Sequence, residues 1–294
     1  MTHPVHSVRP VVLPTPGRGD DLLVRVSAPT TGDALPVIVF SHGFGSSLDG
    51  YAPLVDHWAA RGFVVLQPTH LDSRRLGLTP DDPRYPEIWR IRVEDLSTVV
   101  DRLAVLEAAL PGLAGRVDHG RLAVAGHSWG AQTASVLLGA RVLDADGHPG
   151  EDATDPRVKA GVLLAVPGAG GADLTPFAVE NLPFMNPGFA EMATPALVVA
   201  GDRDQSALSV RGPDWFTDAY ALSPGPKSLL TVHGAEHSLG GISGYDAAET
   251  TDESPERVAL VQRATTDFLR HALRVGDTAW PGASAEPLGR LESK

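Results

Sequence analysis

Short, almost uninterrupted apolar runs recur along the chain, with helix-competent segments between them. The runs are Pro36–Ser41, Gly62–Gln67, Leu122–Ala125, Ala160–Val166, Ala196–Ala200 and Ser228–Val232. Each is too short for a buried helix and lacks the alternation of a half-exposed strand. A strand reads this way when both its faces are covered, as in a parallel sheet packed between helices. Asp21–Ala28 partly alternates and suits an antiparallel edge strand.

The intervening segments supply the helices. Leu54–Arg61 precedes one strand. Trp89–Leu110 carries Val93, Leu96, Val99, Val100, Leu103 and Leu106 near helical spacing and is stopped by Pro111-Gly112. Ala131–Leu143 is small and apolar, and Pro213–Leu222 is a weaker case. Pro255–Leu273 opens with Ser254 as cap and Pro255 at the first helical position. Strand–helix alternation of this kind predicts an α/β fold, with a mostly parallel central sheet and helices on both faces. Residues 1–294 read as one domain without internal repeats. Residues 1–18 are expected as an N-terminal extension, 168–194 as an irregular lid segment, and 277–294 as a loose C-terminal tail.

Composition narrows the chemistry. There is no cysteine, which removes disulfides, thiol catalysis and cysteine-ligated metals. The formal net charge is −12, which argues against nucleic acid as a partner, because neutralising phosphates takes clustered Lys and Arg. No run approaches the ~18 apolar residues of a membrane helix, and Met1–Pro16 lacks a signal-type apolar stretch. A soluble, cytoplasmic protein is expected, with no membrane span, metal or cofactor. With 43% hydrophobic residues, the core needs no metal staple.

The run Gly126-His127-Ser128-Trp129-Gly130 lies between an apolar strand and a helix-competent segment. Strand, sharp turn, helix is the arrangement that lifts a serine hydroxyl clear of a sheet edge. Ser128 is therefore the candidate nucleophile. Ser41-His42-Gly43-Phe44-Gly45 directly follows another buried strand, where a loop supplies backbone N–H groups to a developing oxyanion. That nominates Phe44 and Trp129 as donors. His42 reads as a structural residue of this loop, and His127 as a bystander within the elbow.

A serine of this type needs a histidine base and an acid, in the order Ser, Asp or Glu, His. Of His148, His233, His237 and His271, His237 sits in a free loop after the last strand and is the candidate base. Gly201-Asp202-Arg203-Asp204 follows the Ala196–Ala200 strand. Asp204 is the candidate acid, and Asp202 the alternative, with a turn or a pair with Arg203 as its plain reading. Phe44, Trp129, Phe177, Phe184 and Met185 are expected to line an apolar substrate pocket, although Phe177, Phe184 and Met185 fit ordinary loop packing equally well. No convergent basic cluster is evident, so anionic substrates are not favoured.

Taken in order, S-H-G-F-G-S-S, G-F-V-V-L-Q-P-T-H, G-H-S-W-G, L-V-V-A-G-D-R-D and G-A-E-H-S resemble the α/β-hydrolase superfamily. Within it the chain is similar to chlorophyllase-like, platelet-activating-factor-acetylhydrolase-like and dienelactone-hydrolase-like bacterial esterases, over roughly Pro36–Leu273. The resemblance implies a serine carboxylic-ester hydrolase with Ser128 as nucleophile, Asp204 as acid, His237 as base, and Phe44 and Trp129 at the oxyanion. With the apolar, aromatic pocket expected from Phe44 and Trp129, the substrate is expected to be a small to medium, largely apolar ester. Ala131 stands where many relatives have glycine. The nucleophile is not the cysteine of dienelactone hydrolases, nor the aspartate of haloalkane dehalogenases and epoxide hydrolases. An amidase, an acyltransferase and a catalytically silent binding protein share the same framework.

Overall fold

The computed structural model describes residues 2–244, 250–277, 279–280 and 287–294. Strands β1 (Val5–Leu13), β2 (Leu22–Pro29), β3 (Leu35–Ser41), β4 (Val64–Pro68), β5 (Val117–His127), β7 (Val158–Leu164), β9 (Ala196–Gly201), β10 (Lys227–Val232) and β11 (Gly289–Ser293) form one sheet. Its order is β1-β2-β4-β3-β5-β7-β9-β10-β11. The pairings from β4 through β10 are parallel, and those of β1, β2 and β11 are antiparallel. Two short strands, β6 (Arg141–Val142) and β8 (Pro187–Gly188), pair separately.

The apolar runs are continuous because both faces are covered. Along β3, Val37 and Val39 enter one core and Ile38 and Phe40 the other. Along β9, Val198 and Ala200 join the first core, and Leu197 and Val199 the second. The first core packs under α2 (Ile88–Asp101), α3 (Leu103–Ala109), α4 (Trp129–Leu137) and α5 (Pro176–Asn181). The second packs under α1 (Ala52–Ala60) and α7 (Pro255–Ala272), which are tied together by the Trp58 indole N–H on Thr265 Oγ1 at 3.0 Å. Helix α6 (Asp218–Ala221) follows a 3-10 turn over Pro213–Thr217. Ser254 caps α7 as its position predicts, accepting the Arg257 N–H. No helix of the described residues is long and apolar enough to cross a membrane.

Several expectations are corrected. Half of the 1–18 extension is β1, an edge strand paired with β2 and interrupted by a register shift between Val8 and Val11, around Pro10. A proline without an N–H is tolerated at such an irregular edge. The 277–294 tail ends in β11, antiparallel to β10; residues 278 and 281–286 of that tail lie outside the described residues. The long helix expected over Trp89–Leu110 is two helices, broken at Arg102. The helix expected at Ala131–Leu143 starts two residues earlier and ends at Leu137.

Candidate active site

Ser128, Phe44, Asp204 and His237 each stand on the segment that follows the carboxyl end of a parallel strand, β5, β3, β9 and β10 respectively. Ser128 follows β5 directly, with φ 55° and ψ −127°, a conformation that L-residues rarely adopt. Two close backbone approaches make the turn possible. A Cβ on Gly126 would run into the Gly130 carbonyl, and one on Gly130 into the carbonyls of Ser41 and His42. The elbow therefore presses against the end of β3, bringing Ser128 beside the Ser41–Gly45 loop. The Ser128 N–H donates to the Leu164 carbonyl at the end of β7, 2.9 Å away.

His237 Nε2 lies 2.8 Å from Ser128 Oγ, although the two are 109 residues apart in the chain. Its Nδ1 lies 2.9 Å and 3.2 Å from the Asp204 carboxylate oxygens. The Asp204 side chain is fully buried, whereas that of His237 is partly open. Burial raises the Asp204 carboxyl above the usual range, and the hydrogen bond and charge of His237 pull it back. Asp202 is spoken for elsewhere: it accepts from His233 Nδ1 at 3.0 Å and from the Gly234 N–H at 2.6 Å. The two carboxylates of Gly201-Asp202-Arg203-Asp204 thus sort onto two different histidines.

On the other side of Ser128, the N–H groups flanking Phe44 are occupied. That of Gly43 donates to the Tyr51 hydroxyl at 3.1 Å, and that of Gly45 to Asp72 Oδ2 at 3.0 Å. His42 is buried, and its Nε2 accepts the His70 N–H at 3.0 Å, so its Nδ1 carries the proton and donates to the Gly43 carbonyl at 2.7 Å. Across a planar trans peptide the C=O and N–H point in opposite directions. The Phe44 N–H is therefore turned away from His42. Trp129 is the first residue of α4, where backbone N–H groups have no intrahelical acceptor.

A cleft of about 490 Å³ opens over Ser128 and His237. A model of the chlorophyllase family matches residues 14–144, somewhat under half of the chain. The matched span holds Phe44, Ser128 and Trp129; Asp204 and His237 lie beyond it. Together with the sheet, the match decides the architecture. The fold is that of an α/β-hydrolase. Over the matched span the hydrolase is similar to chlorophyllases, and the match points to a hydrolase of the α/β type. No curated protein matches the sequence.

The hydrolase departs from expectation in what surrounds the cleft. Phe44 lines it and is 57% exposed. Trp129 is buried, stacked on Phe184 with ring centroids 5.3 Å apart. Phe184 and Met185 belong to the core beneath, and Phe177 is exposed on α5; none of the three lines the cleft. Segment 168–194 packs Phe184, Met185, Phe189 and Met192 inward and leaves Phe177 and Val179 exposed. Arg74, Arg75 and Asp49, the last two paired with each other, line the cleft with Ser46, Ser47 and Ser238, so the walls are more polar than the sequence suggests.

Beneath the Ser41–Gly45 loop lies a buried ionic network. Arg92, on α2, is fully buried and reaches Asp72 Oδ1 at 2.5 Å, Thr133 Oγ1 at 3.1 Å and the His42 carbonyl. Its guanidinium lies 4.7 Å from the centre of the Trp129 ring. Burial pushes the Asp72 carboxyl up, but Arg92 and His42 hold it below the usual range. His70 bridges Ser41 Oγ at 2.9 Å and Asp95 Oδ2 at 2.8 Å, and Asp95 pairs with Arg18 at 2.6 Å. Burial, reinforced by Arg92, lowers His42 to about 4 and drives His70 well below its ordinary value. The sequence carries a signal for this network: Arg92 and Asp95 interrupt the apolar face of α2 between Ile88 and Leu96.

Among the described residues, the group suited to a metal ion is Asp144, Asp146 and His148, with ligand-type atoms within 4.8 Å of one another. All three are exposed, none lines the cleft over Ser128, and Asp144 already accepts the N–H groups of Asp146 and His148.

Proposed function

We propose that the hydrolase cleaves carboxylic esters through a serine-bound acyl intermediate. Ser128 Oγ attacks the ester carbonyl while His237 Nε2 takes its proton. Asp204 keeps the His237 Nδ1–H in place and stabilises the imidazolium that forms. The Phe44 and Trp129 N–H groups stabilise the oxyanion, each such donor contributing about 3 kcal/mol where it has been removed from a comparable site. His237 then protonates the departing alcohol, and water, activated by the same imidazole, releases the acid.

The observation that carries this reading is the unbroken hydrogen-bonded line from Ser128 Oγ through His237 to buried Asp204, at the base of an open cleft. The chlorophyllase match supports ester rather than amide chemistry. A cleft of this size accepts a small to medium ester, and Phe44 offers an exposed apolar wall for its acyl part. The test is turnover of p-nitrophenyl esters of increasing acyl length, with the matching anilides alongside. Turnover of esters that disappears in Ser128→Ala supports the reading. Ester turnover unchanged in Ser128→Ala, or anilides cleaved faster than esters, contradicts it.

A further inference from the structure

Ser128 is flanked by two loops from distant parts of the chain, one carrying Phe44 and the other His237. Their spacing decides whether a donor N–H and a base meet one carbonyl at the same moment. A bridge runs between them through the elbow. The Tyr51 hydroxyl accepts the Gly43 N–H at 3.1 Å and lies 2.8 Å from His127 Nδ1. His127 Nε2 lies 2.8 Å from the His237 carbonyl oxygen.

The chemistry of the partners fixes every proton in this bridge. A carbonyl only accepts, so His127 Nε2 must carry hydrogen. Burial, reinforced by neighbouring His237, lowers His127 to about 3, so the ring is neutral and Nδ1 is an acceptor. Tyr51 then donates to Nδ1 and is left with lone pairs for the Gly43 N–H. The chain Gly43 N–H to Tyr51, Tyr51 O–H to His127, His127 N–H to His237 C=O points one way from end to end. The Tyr51 backbone carries φ 63° at the start of α1, a left-handed conformation unusual for a bulky residue. The ring is held in this strained place by what its hydroxyl and face contact, including Phe40 at 4.9 Å and His127 at 5.5 Å between centroids.

We infer that Tyr51 and His127 are a positioning pair, which locks the Phe44 loop to the His237 loop across the Ser128 hydroxyl. The inference rests on the proposed serine mechanism. Neither residue takes part in bond making; His127 is no bystander, because its ring joins the Tyr51 hydroxyl to the His237 backbone. The pair should act on the chemical step, since a small error in the relative placement of base and donor is felt in the transition state more than in ground-state binding.

Three variants test it on p-nitrophenyl acetate: Tyr51→Phe, His127→Phe and His127→Gln. Tyr51→Phe keeps the ring and removes the hydroxyl. The expected result is a kcat lower by ~10-fold with KM within about twofold, which is the effect of one lost positioning contact. His127→Phe cuts both links and should lose ~100-fold, whereas His127→Gln, whose amide N–H can reach the His237 carbonyl, should recover part of that. Fluorophosphonate labelling rates should follow the same order. Wild-type kcat in Tyr51→Phe, a loss carried by KM alone, or a glutamine variant no better than phenylalanine overturns the positioning pair. If the wild type turns over and labels while Tyr51→Phe matches it, the pair alone fails. If the wild type neither turns over nor labels, the serine mechanism fails with it.

Discussion

Replacing Arg92 with methionine should destabilise the hydrolase by about 3–5 kcal/mol, the usual effect of removing one partner from a buried ion pair. The structure says why this site belongs in that range. Arg92 is fully buried, and the Asp72 side chain opposite is 1% exposed. Without the guanidinium, Asp72 keeps the Gly45 N–H but faces the interior as an uncompensated charge. The His42 carbonyl and Thr133 Oγ1 lose a donor as well. For a chain of this length, 1 kcal/mol corresponds to roughly 2 °C, so Tm should fall by about 6–10 °C. Adding Asp72→Asn to Arg92→Met should return part of the loss, because an amide needs no counter-charge and still accepts from Gly45. Calorimetry on the wild type, both single variants and the double variant checks this. A Tm for Arg92→Met within 2 °C of wild type, or a double variant as unstable as the sum of the singles, refutes the reasoning.

Other consequences are equally direct. His42, held to about 4, and His127, held to about 3, are neutral in the folded hydrolase. In the unfolded chain both take up protons below about 6.5, so their contribution is complete above that pH and is lost as pH falls. Moving from pH 7 to pH 5 should cost roughly 2 kcal/mol for each, at about 1.36 kcal/mol per pH unit. Buried Asp95, raised to about 7, acts in the opposite direction. The check is therefore the Tm difference between pH 7 and pH 5 in wild type against His127→Phe, which should shift toward greater acid stability in the variant; an unchanged difference contradicts it. Asp204→Asn should lower kcat by about 10³–10⁴-fold, as expected when a base loses the acid that fixes its tautomer, while Asp202→Asn should leave kcat within about twofold. Equal losses in the two would show that the acid is misassigned. Gly130→Ala drives a methyl into the Ser41 and His42 carbonyls, which are backbone and cannot turn aside. It should cost about 3 kcal/mol or more, read as soluble yield and Tm, and a wild-type melting curve would contradict it.

The parallel inner strands were legible in the sequence because each is covered on both faces and so reads as an unbroken apolar run. β2, expected at Asp21–Ala28 as an edge strand, is antiparallel but lies inside the edge, covered by β1. The edge strands themselves were not legible. β1 mixes His, Arg and Pro with valine, since an edge has one face and one row of hydrogen bonds to satisfy. β11 is a short polar stretch stabilised by its partner β10 and by Ser293 on Ser228. The turn at Ser128 and the helix start at Trp129 are legible in the strand–turn–helix pattern alone. Phe44 is legible from its place after a buried strand, but its loop is held from afar, by Tyr51 and Asp72. The choice between Asp202 and Asp204 is not local: it depends on which histidine each carboxylate faces once β9 and β10 lie side by side. The environment of Trp129 was equally hidden. Nothing in segment 168–194 says that Phe184 turns inward to stack on it while Phe177 turns out. Arg92 and Asp95 were visible as charges on an apolar helical face, but their partners lie on β4's following loop and near the N-terminus.

The proposed mechanism turns on Ser128 as a nucleophile activated by His237. Treating the folded hydrolase with a fluorophosphonate and mapping the adduct by peptide mass spectrometry tests it most directly. One phosphonyl group per chain, carried on Ser128 and lost in His237→Ala, is the predicted result. No adduct, or one carried on another residue, contradicts it.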